Sequence, residues 1–353
     1  MKLFLILSLV VSIMSCASQK SGVSPAKIEL PIRDGKYDSE FPVKPSAPYL
    51  DRMARAVKLI STMTFYKAYQ FGFEEQLRDD DLKNPQILSR AQTTYIFQRP
   101  SSGTATLISQ NDRELIFLTC NHIVNHQDTI ITYYAKKDQP REPSEIIHSI
   151  SFKIKETMNI LGIPSAGQPV LLASDEKTDL ALVGVKLHRM PANPLLVLNI
   201  KFGKAAELQW GAFIYLLSYP QGKLMLSHSV VSQPNRDDKH NFLFNSSLTR
   251  GISGGIVIAL RDGVPNFEVV GIVSALGAQT QYFLRPDINM ASWMFDSNQP
   301  YKGDIFIDQQ IGNNSGIVFA ISSENIIDFI KQNKEKIEAQ GFRFPSFFLK
   351  TDH

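Results

Sequence analysis

Three short stretches carry side chains that could do chemistry together. "SLTRGISGGIVIAL", Ser247 to Leu260, sets Ser253 among glycines, just ahead of an apolar run. A serine hydroxyl is a weak nucleophile and needs a base within hydrogen-bond reach. Seven histidines are candidates for that base. His122 stands out in "RELIFLTCNHIVNH", where an apolar run leads into Thr119, Cys120, Asn121 and His122. A ring just past a strand end is held rigidly and remains reachable. His126 is its nearest rival but lies in the polar, looser "NHQD". His188 and His228 fall within or beside strand patterns, and His148, His240 and His353 have no supporting context. Such a base is usually oriented by a carboxylate. Asp179 in "SDEKTDLALVGVKL" ends a polar turn directly before a strand pattern, which can place its carboxylate at a sheet edge. Asp175 is the rival and is further from the strand. Aspartates are common in turns for purely structural reasons.

The surroundings of Ser253 add a second element. Gly251, Gly254 and Gly255 let the backbone turn sharply. The N–H groups of Gly251 and Ser253 can then point at one oxygen. Such an oxyanion hole binds charge that develops only in the transition state.

These groups need a scaffold. From about residue 92 the chain reads as short β-rich runs, among them "TATLIS", "ELIFLT", "LALVGVKL", "AFIYLLSY" and "GIVIAL", with Gly, Pro, Asn and Asp between them. This pattern indicates an all-β barrel or sandwich. Neither βαβ alternation nor an internal repeat is visible. "SENIIDFIKQNKEKIEAQG" predicts a C-terminal helix capped by Ser322 or Ser323, with Ile326, Ile330 and Ile337 on one face and Gly341 as its stop. Upstream, Met53, Val57, Ile60 and Met63 are spaced as one helix face, which predicts a helical N-terminal segment over 48–91, packed on the main domain or presented to a partner.

Taken together, "FLTCNHIV", "TDLALVGVK" and "RGISGGIVI" resemble the three catalytic motifs of trypsin-like serine proteases, in particular those of the bacterial HtrA-type (Deg) proteases. "GAFIYLLSYPQG", "VVGIVSALG" and "GIVFAIS" are similar to further strands of that family, and the likeness covers about residues 92–330. The resemblance implies two six-stranded β-barrels with the active site between them, in a protease domain over 92–322, followed by a C-terminal helix and tail over 323–353. It implies a serine endopeptidase with His122 as base, Asp179 as its orienting carboxylate and Ser253 as nucleophile. Gly251 and Ser253 would form the oxyanion hole. No cofactor or metal is implied, and the partner is a peptide or unfolded protein substrate. A general base of this kind works once neutral, so activity is expected to rise toward about pH 7.

The sequence departs from the family at several points. Cys120 stands where a small residue is usual, two before His122, and is expected to be a buried small hydrophobe. Ile252 replaces the Asp or Asn that often precedes the serine. That argues against activation by a new N-terminus, and leaves the oxyanion loop expected to be mobile or to need a partner. No PDZ-like domain is expected after the protease domain. By resemblance, Ser247 lies near the base of the substrate pocket, with Ser274, Ala275 and Leu276 along its edge. The pocket has no acidic residue at its base, so small or aliphatic side chains are expected rather than Lys or Arg. A long insert from Gly277 to about Asn314 can be a lid, a docking surface or a packed hairpin. These departures keep open an alternative, a catalytically silent trypsin-fold binding protein or chaperone. A surface adhesin with the barrel as scaffold is a third.

Composition and address complete the picture. The 353 residues are 43% hydrophobic and 20% charged, with a net charge of +3, an ordinary globular balance with no basic run for nucleic acid. "MKLFLILSLVVSIMSC" reads as a signal peptide over 1–15. Ile13-Met14-Ser15-Cys16 resembles the lipobox of bacterial lipoproteins, which implies lipidation at Cys16; a plain signal peptide cut near Ala17 is the rival. Residues 16–47, rich in Pro, Ser and Lys, read as a tether to a membrane anchor. Export to the cell envelope is expected, at the outer membrane or in the periplasm.

Overall fold

The computed structural model describes residues 33–42, 44–135, 143–246, 251–276, 279–286, 305–312 and 316–344. The expected signal peptide, Cys16 and most of the expected tether lie outside these residues, as does Ser247. No helix among the described residues is long and apolar enough to cross a membrane.

A short helix, α1 (Ala47–Ala54), begins on Pro48 and buries Leu50 and Met53. The chain then extends as β1 (Val57–Gln70). The helix expected over 48–91 therefore ends at Ala54. Met53, Val57, Ile60 and Met63 do fall at helical steps, but a two-residue period overrides them. Ile60, Thr62, Thr64, Tyr66 and Ala68 are all buried, and the residues between them are half-buried. Ile, Thr and Tyr favour extended backbone. Strand partners on both sides complete the choice: β1 pairs with β2 (Thr93–Asn111) and with β5 (Pro143–Ile160). Residues 73–90 form short 3-10 turns rather than helix.

The first sheet also contains β3 (Glu114–Cys120), β4 (Thr129–Ala135), β6 (Val170–Asp175) and β7 (Leu180–Lys186), with the four-residue helix α2 (Asn121–Val124) after β3. Its order is β4-β5-β1-β2-β3-β7-β6, seven strands in an open sheet. The expectation of six strands closed in a barrel is corrected here. Strands β1, β2 and β5 run past the main core and carry a small core of their own, built on Phe71, Leu77, Ile87, Ile147 and Ile150. Strand β1 also lies upstream of the boundary expected at residue 92.

The second unit is the closed barrel that the resemblance implies. It comprises β8 (Phe213–Ser218), β9 (Met225–Gln233), β10 (Phe242–Asn245), β11 (Ile256–Leu260), β12 (Phe267–Leu276) and β15 (Ile317–Ser322). They close in the order β10-β15-β12-β11-β8-β9. Alternation divides its strands between two cores. In β8, Ile214 and Leu216 fill the barrel, whereas Phe213, Tyr215 and Leu217 join the larger core shared with the first sheet. The described part of the long insert is a two-stranded ribbon, β13 (Gln279–Pro286) against β14 (Ile305–Gly312).

Helix α3 (Ser323–Ala339) lies against β6 of the sheet and β12 of the barrel. Ser322 caps it, its hydroxyl accepting from the Asn325 N–H, and Ile326, Ile330 and Ile337 are buried as expected. Part of the expected tether is fixed to the barrel. The Tyr37 hydroxyl donates to Glu268 at 2.8 Å, and the Arg261 guanidinium lies over the Tyr37 ring and pairs with the same carboxylate. Burial raises Glu268, but Lys201, Tyr37 and Arg261 outweigh it and hold the carboxyl below its usual range.

Candidate active site

Strand register makes the first contact. Strands β3 and β7 run antiparallel with Cys120 opposite Leu180. The residues just beyond these paired ends therefore meet, and the Asn121 N–H donates to the Asp179 carbonyl at 3.1 Å. Helix α2 starts there and turns His122 onto the carboxylate. Its backbone N–H and its ring Nδ1 each lie 3.0 Å from Asp179 Oδ1, and Nδ1 is 2.8 Å from Oδ2. Asp179 itself has a φ of 56°, in the left-handed region that aspartate tolerates better than most residues.

A third donor reaches the same carboxylate. The Ser274 hydroxyl donates to Asp179 Oδ2 at 2.6 Å. The β12–β15 register shifts between Val273 and Ala275, and this bulge at Ser274 re-aims the side chain. Ser274 is the residue expected at the pocket edge, and its hydroxyl is committed to Asp179. Burial raises the Asp179 carboxyl, but the hydrogen bonds from His122 and Ser274 outweigh it and hold the group below the ordinary aspartate range.

Ser253 comes from the turn that leads into β11. Gly251 and Gly254 both have positive φ, 101° and 78°. A Cβ at Gly251 would collide with the Tyr219 carbonyl, and one at Gly254 with the Thr104 carbonyl, so the turn needs glycine twice over. Among the described residues, the N–H groups of Gly251 and Ser253 donate to no backbone acceptor. Both residues line, with His122, a cleft of about 640 Å³.

The loop is anchored without an aspartate. Ile252 is fully buried in the barrel core. Thr104, buried on β2 of the first sheet, grips the residues on either side. Its N–H donates to the Ser253 carbonyl at 2.8 Å and its hydroxyl donates to the Gly251 carbonyl at 3.0 Å. The same hydroxyl accepts from the Tyr219 N–H at 2.9 Å. Apolar burial and a threonine thus hold the loop where the family often has a polar residue.

Residues 103–272 match the family model of the trypsin-like peptidase domain. The chain carries a trypsin-like peptidase domain. No curated protein matches it. Strands β1 and β15, outside the matched range, pair with strands inside it. Ser274 falls two residues past the match.

The remaining candidates have other duties. Asp175 accepts from the Thr178 hydroxyl at 2.6 Å and from the Lys177 N–H at 3.0 Å, closing the turn that delivers Asp179. His126 pairs with Glu156, Nδ1 to Oε2 at 2.9 Å, on the first sheet. His148 bonds Gln70, and His228 stacks on Phe213. Cys120 is fully buried and its thiol donates to the Val273 carbonyl at 3.1 Å. Burial, then the nearby Asp179 charge, push that thiol well up, so it stays protonated and inert, as expected of a small hydrophobe. Ligand-type atoms of Cys120, His122 and Asp179 lie within 4.8 Å of one another. With the thiol protonated and Nδ1 already turned to the carboxylate, the cluster suits hydrogen bonding rather than metal ligation. Leu276 lies on β12, and Ser247 lies outside the described residues, so the pocket they were expected to form is not defined by geometry.

Proposed function

We propose that this protein is a serine endopeptidase that works by acyl transfer. The observation that carries the reading is one constellation: a histidine fixed on a half-buried carboxylate, in the same cleft as Ser253 and two N–H groups that donate to no backbone acceptor among the described residues. Ser253 Oγ attacks the scissile carbonyl carbon while His122 Nε2 takes its proton. The oxyanion is received by the Gly251 and Ser253 N–H groups. Asp179 holds the ring by Nδ1 and steadies the imidazolium. The C–N bond then breaks, and His122 returns the proton to the leaving amine. Water attacks the acyl-enzyme by the same route in reverse roles.

The signal-like N-terminus and the cysteine at position 16 support substrates among exported or envelope proteins, with the enzyme held at a membrane by a lipid on Cys16. Labelling of the full chain with a fluorophosphonate probe tests the catalytic reading. Wild type should label, and Ser253→Ala and His122→Ala should not. Absence of labelling in wild type would instead favour a binding protein on this fold.

A further inference from the structure

Strand β2 pairs with β1 from Thr93 to Thr106 without a break in register, but its pairing with β3 begins only at Thr106. The stretch before Thr106 is therefore an edge, held on one side. Two bonds settle which of its backbone groups point out. The Leu107 N–H donates toward β1, to the Ala56 carbonyl at 2.9 Å, whereas the Thr104 N–H points the other way, to the Ser253 carbonyl at 2.8 Å. Backbone groups alternate in direction along an antiparallel strand. The N–H and C=O groups of Ser102, Gln98, Ile96 and Thr94 therefore point away from β1, as does the Pro100 carbonyl. All five residues are exposed, and among the described residues these groups have no backbone partner. Pro100 agrees with this direction, since a strand proline sits where its missing N–H would face outward at an edge.

This edge is continuous with the candidate site. The Ser253 segment already occupies it at Thr104. The next two outward positions, Ser102 and Pro100, line the cleft shared by His122 and Ser253. From Ser102 the edge runs on to Thr94, about 27 Å further. Its far end carries Tyr95 and Ile96, both exposed, Ile96 by 62%. A long edge with free backbone groups is a template for another extended chain.

Resting on the peptidase reading above, we infer that the free edge of β2 from Ser102 to Thr94 is an exosite, which takes up an extended stretch of the substrate as an added strand well beyond the cleaved bond. Main-chain bonds to Ser102, Gln98, Ile96 and Thr94 supply the hold and are indifferent to side-chain sequence, while Tyr95 and Ile96 favour apolar residues at the far end. An unfolded polypeptide offers such a strand. A second copy of this chain fits the edge less well, because two copies related by a two-fold axis would meet the missing Pro100 N–H twice.

The test starts from a peptide that the full chain cleaves, trimmed to about six residues around the cleaved bond, and from two forms of it lengthened by about eight alternating Thr and Val residues on one flank or the other, enough to span the edge. Lengthening on one flank should raise kcat/KM about tenfold or more, the scale of a few neutral hydrogen bonds. N-methylation of alternate amides in that extension should remove the gain, and methylation of the intervening amides should leave it. Gln98→Pro deletes one outward N–H, as Pro100 already does, and should lower the long-to-short ratio of kcat/KM by about threefold or more. No gain from either flank, or a gain that N-methylation reduces at no position, overturns the inference and leaves the peptidase reading intact. So does a wild type that sediments as a dimer while Gln98→Pro sediments as a monomer, which would give the edge to a second copy. A full chain that cleaves no peptide overturns the inference, and the peptidase reading with it if the fluorophosphonate also fails to label.

Discussion

Two histidines four residues apart each face a carboxylate through Nδ1, His122 on Asp179 at 2.8 Å and His126 on Glu156 at 2.9 Å. The bond lengths do not tell them apart. Access does. The His122 side chain is 47% exposed and borders the Ser253 cleft, whereas His126 is 16% exposed. His126 even has a hydroxyl at hand, Thr64 Oγ1 at 3.1 Å, but it meets the same Nδ1 that faces the carboxylate. Thr64 also donates to Glu156 at 2.8 Å and is fully buried. A nucleophile must sit on the other ring nitrogen and be open to substrate. A histidine–carboxylate pair becomes a general base only where the rest of the ring faces a reachable serine. The second pair is a strut: it ties the segment after α2 to the long strands, helped by Lys153 on the His126 carbonyl at 2.8 Å and the Tyr66 hydroxyl on that of Gln127 at 2.8 Å.

The contrast is broken most sharply at the reacting atoms. Ser253→Ala or His122→Ala should lower kcat by something on the order of 10⁶, read on any cleaved peptide. Asp179→Asn should keep the geometry, favour the wrong ring tautomer and lower kcat by about 10⁴. Thr104→Val removes the hydroxyl that grips the oxyanion loop and should lower kcat by about 10² with little change in KM, whereas Thr104→Ser should restore most of it. The strut should respond differently. His126→Gln should leave Ser253 labelling at wild-type level and cost about 1–3 kcal/mol of stability in urea melts, the scale of a lost hydrogen bond to a charged group.

Acid unfolding gives the smallest and most distributed effect. The Asp179, Asp175, Asp237 and Glu268 carboxyls are all held below their ordinary values, Asp179 by His122 and Ser274 against burial. A depressed folded value gives stability that is full above the unfolded value, near 3.8 for aspartate, and is lost as pH falls through the lower folded value. Denaturation midpoints should therefore hold down to about pH 4–5 and decline below it. Asp179→Asn should make that decline shallower.

Much of the site was legible because strand ends announce themselves. His122 follows an apolar run and Asp179 precedes one, while Ser253 sits among glycines that the turn requires at Gly251 and Gly254. Those signals are local. The roles of Thr104 and Ser274 were not legible in this way. Thr104 reads as one more residue of a β-rich run, and nothing near it in the chain shows that its hydroxyl will meet Gly251, 147 residues on. Ser274 reads only as a pocket-edge residue, and its bond to Asp179, 95 residues away, depends on a bulge in a distant strand pair. Residues 57–70 misled because two periods coexist in one stretch, and the pairing partners that decide between them lie in other strands.

The sequence by itself determined the candidate residue types, their strand-end settings, the all-β class and the capped C-terminal helix. Each follows from local patterning of apolar, glycine and capping residues, which acts within a few residues along the chain. Only the tertiary structure decided which histidine borders the Ser253 cleft, what holds the Gly251–Ser253 loop, and that one unit closes into a barrel while the other stays an open sheet. Those outcomes depend on strand register and on contacts between distant segments, and a single step in register moves every side chain to the other face.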